Sequence, residues 1–384
     1  VSGLSLNHTT QQHTARIIFG EERNPQGAFV YTDLKEKFPG YIFNGKTSYY
    51  RGEIPGEGGY VYAEPGIFEH VALLDVASMH PTSIEVLNLF GPYTEKFASL
   101  KEARMAIKHK QYEIARTLLD GKLAPYLEDD EEAEALAYAL KIVINIVYGL
   151  TSARFPNAFR DNRNVDNIVA KRGALFMIDL KNAVQEHGFT VAHIKTDSIK
   201  IPNATQEIID FVIEFGKKYG YDFEHEGTYD WMCLANDAVY IAREGDKWTA
   251  IGAQFQHPYV YKTLFTHEAL EFRDYCEAKN VVQGRMYLDF SGTEEIENMV
   301  HIGRTGSFVP VIDGGTLWRV KDDKKYAVTG TKGYLWINRE VAANRRETNS
   351  LNIDLSYFEK LKEKAIKTIT QFDDGCRIFE DMEA

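Results

Sequence analysis

The spacing of apolar positions changes several times along the 384-residue chain. Residues 1–55, rich in Gly, Asn, Gln and Thr with scattered strand-like triplets, predict loops and short strands. From "GGYVYAEPGIFEHVALLDVASMHP" two β-rich runs emerge, 59–63 and 69–76. The second is apolar enough to be a buried central strand. After Ala98 the period becomes three to four, so "SLKEARMAIKHKQYEIARTLL" predicts a helix with Ser99 as its cap. Pro125 and the acidic run "EDDEEAE" at 128–134 interrupt it, and "EALAYALKIVINIVYGL" predicts a second long helix. Two helices joined by a polar tip make an antiparallel hairpin projecting from a sheet.

"NVDNIVAKRGALFMIDLKNAVQEHGF" predicts a third helix ended by Gly188. Next come apolar "TVAHI", the turn "KTDS", and "IKI" stopped by Pro202. A helix at 205–219 and strands near 221–226 and 237–243 complete an α+β unit, with helices covering one face of an antiparallel sheet. Beyond Pro258 a helix over "TLFTHEALEFRDYCEAK", Gly-rich strands and a closing amphipathic helix from Tyr357 to Ile369 are expected. There is no internal repeat and no low-complexity linker.

Composition changes this picture little. The length suits two or three lobes, and the apolar and aromatic content suits a globular chain. No uninterrupted run of eighteen apolar residues occurs and no charged-then-apolar leader precedes the first element, so a cytoplasmic protein with no membrane partner is expected. The chain begins with Val rather than Met, as a processed or excised piece would. Cys233, Cys276 and Cys376 are odd in number, far apart and outside metal-ligand spacing, which suits inert thiols in a reducing compartment. The net charge of -12 argues against indiscriminate coating of nucleic acid, yet a local basic channel acts over only about a Debye length, roughly 8 Å. Segment 317–346 carries eight Lys and Arg against three acids, either as a solvated face or as such a channel. Its aromatics Trp318, Tyr326, Tyr334 and Trp336 fall at strand spacing, which suits a core.

"HIKTDSIKI" mounts one carboxylate, Asp197, at the tip of a hairpin between Lys195 and Lys200. Solvated residues flanking a turn is the simpler reading of both lysines and the one preferred for Lys200; cations that offset phosphate charge near a metal site is the other. Nucleotidyl transfer needs charge stabilisation and in-line placement, which two divalent cations about 3.5–4 Å apart supply. Bridging such ions takes at least two carboxylates on rigid neighbouring strands. Asp75, ending the apolar run "HVALL", is the candidate partner; alone it is equally a turn or cap residue.

"DVASMHPTSIE" resembles the D-x-x-S-L-Y-P-S-I motif of family B DNA polymerases, "KIVINIVYG" their K-x-x-x-N-S-x-Y-G, and "KTDS" their D-T-D-S. The three occur in the family's order, and the approach "GGYVYAEPGIFEH" resembles its lead-in, so the resemblance spans residues 58–245. It implies a right-hand polymerase fold: an N-terminal segment 1–57, an antiparallel-sheet palm at 58–97 and 160–254, helical-hairpin fingers at 98–159, and a mixed α/β thumb at 255–384. It further implies DNA-directed DNA polymerase activity, adding dNTPs to a primer 3′-hydroxyl on primer-template DNA. Asp75 and Asp197 would bridge two Mg2+ ions, Mn2+ being a possible substitute, with the Val76 carbonyl as a further ligand. Arg104, Lys108 and Lys141 would hold the triphosphate, with Lys141 acting in catalysis and the backbone of Ser78 and Met79 adding hydrogen bonds. Asn145 follows Lys141 on the same helical stripe, Tyr148 would lie against the nascent base pair, and Gly149 would permit close approach.

Departures from the motifs carry expectations too. His80 stands where the family has a tyrosine facing the ribose, so weaker exclusion of ribonucleotides is expected. Lys195 replaces the first Asp of D-T-D-S and Ile146 the Ser of the second motif. Tyr240 sits where the family has a K-K-x-Y motif whose lysines are missing here. Nothing in residues 1–57 resembles the family's exonuclease signatures, so proofreading is expected only from a separate subunit, and a processivity factor is a further possible partner. Compact cores of this type suggest a phage or virus-like replication enzyme in the host cytoplasm. Two rivals stay open: a polymerase-fold DNA-binding scaffold without catalysis, and a carboxylate-pair hydrolase.

Overall fold

The computed structural model describes residues 8–23, 25, 29–30, 32–328, 330, 333–338 and 351–372. The chain forms two compact units, Val1–Glu64 with Phe68–Asp230, and Pro65–Ile67 with Trp231–Ala384. Each mixes helices with antiparallel strand pairs, the α+β class expected.

The first unit opens with a helix the sequence reading missed: α1, Gln11–Phe19. Thr10 caps it, its hydroxyl accepting from the His13 amide while the His13 ring accepts from the Thr10 amide. A His in the place of the usual Glu or Gln hid this capping box from the pattern. The sheet of this unit orders strands β1 (Val61–Ala63), β2 (Gly66–Val76), β3 (His193–Lys195), β4 (Ser198–Ile201) and β5 (Phe223–Asn236) as β1-β3-β4-β2-β5. Val71, Ala72, Leu74 and Val76 of β2 are buried, as a central strand requires. β5 is longer than the strand expected near 221–226, and its residues from Trp231 onward belong to the second unit.

Four of the helices in this unit matter most here: α2 (Met79–Val86), α3 (Thr94–Lys108), α4 (Asp130–Ser152) and α5 (Ile168–Glu186). α3 starts earlier than expected. Thr94 accepts from the Phe90 amide ahead of it, and Ser99, the expected cap, lies inside the helix with its hydroxyl on the Glu95 carbonyl. The helix also ends sooner, at Lys108, and a short separate helix follows at Tyr112–Thr117. The acidic run does not interrupt anything; it starts α4. Asp129 accepts from the amides of Glu131 and Glu132, and Asp130, Glu131 and Glu132 fill the first turn, where negative charge complements the helix dipole. α3 and α4 pack side by side as the expected hairpin. By length and composition α4 could cross a membrane, a property its interrupting Lys141 conceals from a simple count of apolar runs. Here Leu140, Ile144 and Val147 turn into the core.

α5 is buried on nearly every side, and its buried cations find partners. The Lys171 ammonium donates to the Gly56 carbonyl at 2.8 Å, Arg172 to that of Tyr219 at 2.7 Å, and Lys181 pairs with Glu53. Gly173 lets α5 approach α2: a Cβ there would meet the Met79 sulfur at 2.6 Å. A later helix, α6 (Gln206–Lys217), is capped by Thr205.

In the second unit, the end of β5 pairs with β6 (Val239–Glu244) and β6 with β7 (Lys247–Ile251). They share a core of Cys233, Ile241, Phe255, Val260 and Phe265 with Ala365 and Ile369 of the closing helix α7 (Leu355–Thr370). The helix expected over "TLFTHEALEFRDYCEAK" does not form. A π turn at Lys262–Thr266 stops at left-handed His267 (φ 54°), because Lys262 reaches forward to Asp274 at 2.9 Å and folds the segment on itself. A second sheet orders β8 (Glu277–Asn280), β9 (Arg285–Asp289), β10 (Val300–Gly303) and β11 (Thr305–Lys321) as β8-β11-β9-β10. Tyr334 is fully buried, whereas Tyr326 is half exposed under the Arg319 guanidinium rather than in the core. Tyr240 is buried in β6. Cys233 is buried and Cys276 half-buried; Cys376 and residues 339–346 of the basic segment lie outside the described residues.

Candidate active site

The hairpin β3–β4 turns in two residues, Lys195 pairing with Ser198. Thr196 adopts φ 59°, the left-handed backbone that such a tight turn demands. The turn places Asp197 beside the end of β2: Asp75 pairs with Ser198, and the Val76 amide donates to the Asp197 carbonyl at 2.8 Å. Two carboxylates more than a hundred residues apart in the chain therefore meet at adjoining strand ends. From outside, Gly59 crosses so near that a Cβ on it would touch the Thr196 side chain at 2.8 Å, and the Thr196 amide donates to the Tyr60 carbonyl at 2.9 Å.

Asp75, Val76 and Asp197 face a cavity of about 500 Å3. The chain leaves β2 through Ser78 in left-handed conformation (φ 55°) and enters α2, and Ser78, Met79 and His80 line the same cavity where the first amides of a helix lack intrahelical partners. Arg104 on α3 donates to the Ser78 hydroxyl. Arg104, Lys108 and Lys141 also line one side together, as two residues one turn apart on α3 and one on the facing α4. Farther along α4, Asn145, Tyr148 and Gly149 complete the wall. The His80 ring stacks on Tyr148, centroids 4.0 Å apart and planes within 14°. A Cβ at Gly149 would meet no protein atom within 4 Å. Every residue singled out from the sequence for this site lines the one cavity.

The electrostatics are strained in one direction. Burial pushes the Asp75 carboxyl up to about 7, with the Asp197, Glu226 and Glu224 charges adding to it. Burial likewise raises Asp197, opposed by its own backbone amide and by Lys200 and Lys141. Burial lowers the His80 imidazole to about 4, so the ring is neutral, and its Nδ1 is buried without a hydrogen-bond partner. Two carboxylates whose charged forms are disfavoured by burial and by neighbouring negative charge are a donor set that a divalent cation would relieve. Among the described residues no three His, Cys, Asp or Glu side chains converge on a point.

Three further residues shape the site. Glu224, on β5, holds Lys108 at 2.7 Å and His109 at 3.1 Å, which brings its own carboxyl below the ordinary range against the effect of burial. Glu226, two residues on, acts on both aspartates through space. Their alternation in "FEHEGT" was the available signal. Lys200 is not the solvated lysine expected: it is 3% exposed, 3.2 Å from His193 Nδ1, with burial lowering its ammonium to about 8. Its positive charge opposes the rise of both aspartates. Lys195, by contrast, is exposed.

No protein-family model matches the chain, and no curated protein matches it. Among solved structures it is distantly similar in fold to the family B DNA polymerase from the hyperthermophilic archaeon Pyrobaculum calidifontis, with a TM-score of 0.44 and 12% sequence identity. That similarity covers 84% of this chain and 49% of the other, so the chain spans about half the length of the polymerase it resembles.

Proposed function

We propose that the chain is a template-directed DNA polymerase, transferring dNTPs to a primer 3′-hydroxyl with release of pyrophosphate. The single observation that carries this reading is the meeting of Asp75 and Asp197 at adjoining strand ends in a cavity that Arg104, Lys108 and Lys141 also line. Carboxylates and cations around one cavity match a metal-bound triphosphate. A sugar-cleaving carboxylate pair has no use for three cations. On this reading the sheet of the first unit is the palm, α3 and α4 are the fingers, and the residues from 255 onward are the thumb.

Asp75, Asp197 and the Val76 carbonyl would hold Mg2+, or Mn2+ in its place; when bound, the metal supplies Lewis-acid activation of the attacking and leaving oxygens. Lys141 and Arg104 balance charge on the phosphates, and the Met79 and His80 amides can donate to phosphate oxygens at the start of α2. Lys108 must exchange Glu224 for phosphate as the nucleotide enters. Tyr148 offers a flat face for the nascent base pair, and the open space at Gly149 admits it. The neutral His80 ring then faces the sugar.

Extension of a labelled primer-template with Mg2+ and dNTPs tests the reading, with Asp197→Asn as control. Extension by the wild type and its loss in the variant are expected. A wild-type protein that binds primer-template but never extends it, with either metal, would favour the non-catalytic scaffold.

A further inference from the structure

The three cations around the candidate active site are not held alike. Arg104 donates to the Ser78 hydroxyl, and among the described residues Lys141 makes no hydrogen bond or ion pair. Lys108 alone of the three is held by an acid, its ammonium meeting Oε2 of Glu224 at 2.7 Å. Lys108 faces the cavity, whereas Glu224 stands outside its lining, so the acid engages a cavity cation without being part of the wall.

The strand fixes Glu224 in that place. Phe223, buried at the start of β5, packs on Phe176 and so closely on Gly216 that a Cβ there would meet its ring at 2.7 Å. Alternation along the strand sends the next side chain to the opposite face. The Asp222 carbonyl accepts from the Ala77 amide at 2.9 Å, which ties the start of β5 to the chain just past Asp75 and Val76. Across from it, Lys108 is the last residue of α3 and His109 its cap, an end where the helix dipole disfavours a carboxylate. The attraction therefore comes from the side chains, Lys108 on one oxygen of Glu224 and Nε2 of His109 on the other at 3.1 Å. The side chains of Lys108, His109 and Glu224 are 42%, 44% and 32% exposed, a setting in which an ion pair is weak enough to be exchanged. When Lys108 departs, His109 still engages the second oxygen.

A carboxylate that occupies Lys108 while the cavity is empty does what a phosphate oxygen would do. We propose that Glu224 is a positioning residue for polyphosphate: it holds Lys108 in the empty site, yields it to the nucleotide, and reclaims it as pyrophosphate leaves. The proposal rests on the polymerase reading and adds product release to it. A competitor of this kind weakens the binding of substrate and of pyrophosphate by the same factor, so it raises KM and keeps the product from lingering. An ion pair this exposed sets that factor at about two- to fivefold.

The test uses the full chain and inorganic tripolyphosphate in metal-free buffer, titrated by calorimetry. Glu224→Gln, with its melting temperature checked against wild type, is expected to bind about two- to fivefold more tightly, and Glu224→Ala likewise. In a Lys108→Met background the same Glu224→Gln change is expected to leave affinity where it was, a non-additivity that a merely structural role would not produce. A gain that persists without Lys108 refutes the proposal. In primer extension Glu224→Gln should lower KM for the dNTP by the same factor, more than it changes kcat, and should strengthen inhibition by inorganic pyrophosphate equally. If wild type extends primers yet tripolyphosphate binds equally with and without Glu224, this inference fails while the polymerase reading stands. If tripolyphosphate answers as expected but wild type extends nothing, the polymerase reading fails and Glu224 remains the guard of a polyphosphate site.

Discussion

Replacing Asp75 with Asn isolates the charge problem at the end of β2. The folded protein holds this carboxyl at about 7 against an ordinary 3.8, mainly because burial disfavours the anion. Below pH 3.8 the folded and unfolded chains both carry it protonated, and the wild type suffers no penalty. As pH rises the unfolded chain releases the proton first, so stability falls until the pH passes about 7 and then levels off. At ~1.36 kcal/mol per pH unit the full difference approaches about 4 kcal/mol; water reaching a half-buried group reduces it to about 2 kcal/mol. The Asn variant lacks this pH dependence. Urea unfolding in EDTA should therefore show its advantage over wild type growing by about 2 kcal/mol between roughly pH 4 and pH 8, with unchanged m. Adding Mg2+ at about 100 times its dissociation constant should then stabilise wild type by about 2.7 kcal/mol and the variant by much less. An advantage that is the same at both pH values refutes the account of Asp75 as a buried anion pressed by its neighbours.

Other expectations follow from single contacts. His80→Tyr should raise the preference for dNTPs over rNTPs about tenfold or more, read from single-nucleotide incorporation; an unchanged ratio removes His80 from sugar selection. Gly173→Ala drives a methyl into the Met79 sulfur and should cost about 1–3 kcal/mol in urea unfolding, a loss that Met79→Ala in the same chain should partly relieve. Lys181→Met leaves Glu53 without its cation and should destabilise by about 2–3 kcal/mol, less than the ~3–5 kcal/mol of a fully buried pair because Glu53 is one quarter exposed. Equal stability of that variant and wild type would assign the pair no role.

The parts of the site legible in the sequence are those set by regular local geometry. A two-residue polar step between apolar runs fixes a hairpin with Asp197 at its tip, and helical spacing puts Arg104 and Lys108 on one face, but their joining in one site was expected only from the resemblance of three motifs. What escaped depends on contacts distant in sequence. Glu224 and Glu226 look like ordinary alternating residues of a strand until β5 takes its place beside β2. Lys200 reads as solvated because nothing local announces that its strand lies between two others. The false helix beyond Pro258 has a plausible apolar period, but the Lys262–Asp274 pair closes the segment into a compact turn instead. Capping by Asp129 was hidden in plain view, since acids that disfavour a helix interior favour its first turn.

Gly59 and Thr196 touch across the back of the hairpin, in a space that leaves no room for a second side chain. Position 59 cannot enlarge by itself: any residue larger than glycine there requires position 196 to shrink in the same lineage, or the carboxylate beside it shifts. The two sites should thus be inherited as a unit, and a lineage that broke the unit would be one in which selection on Asp197 had already lapsed.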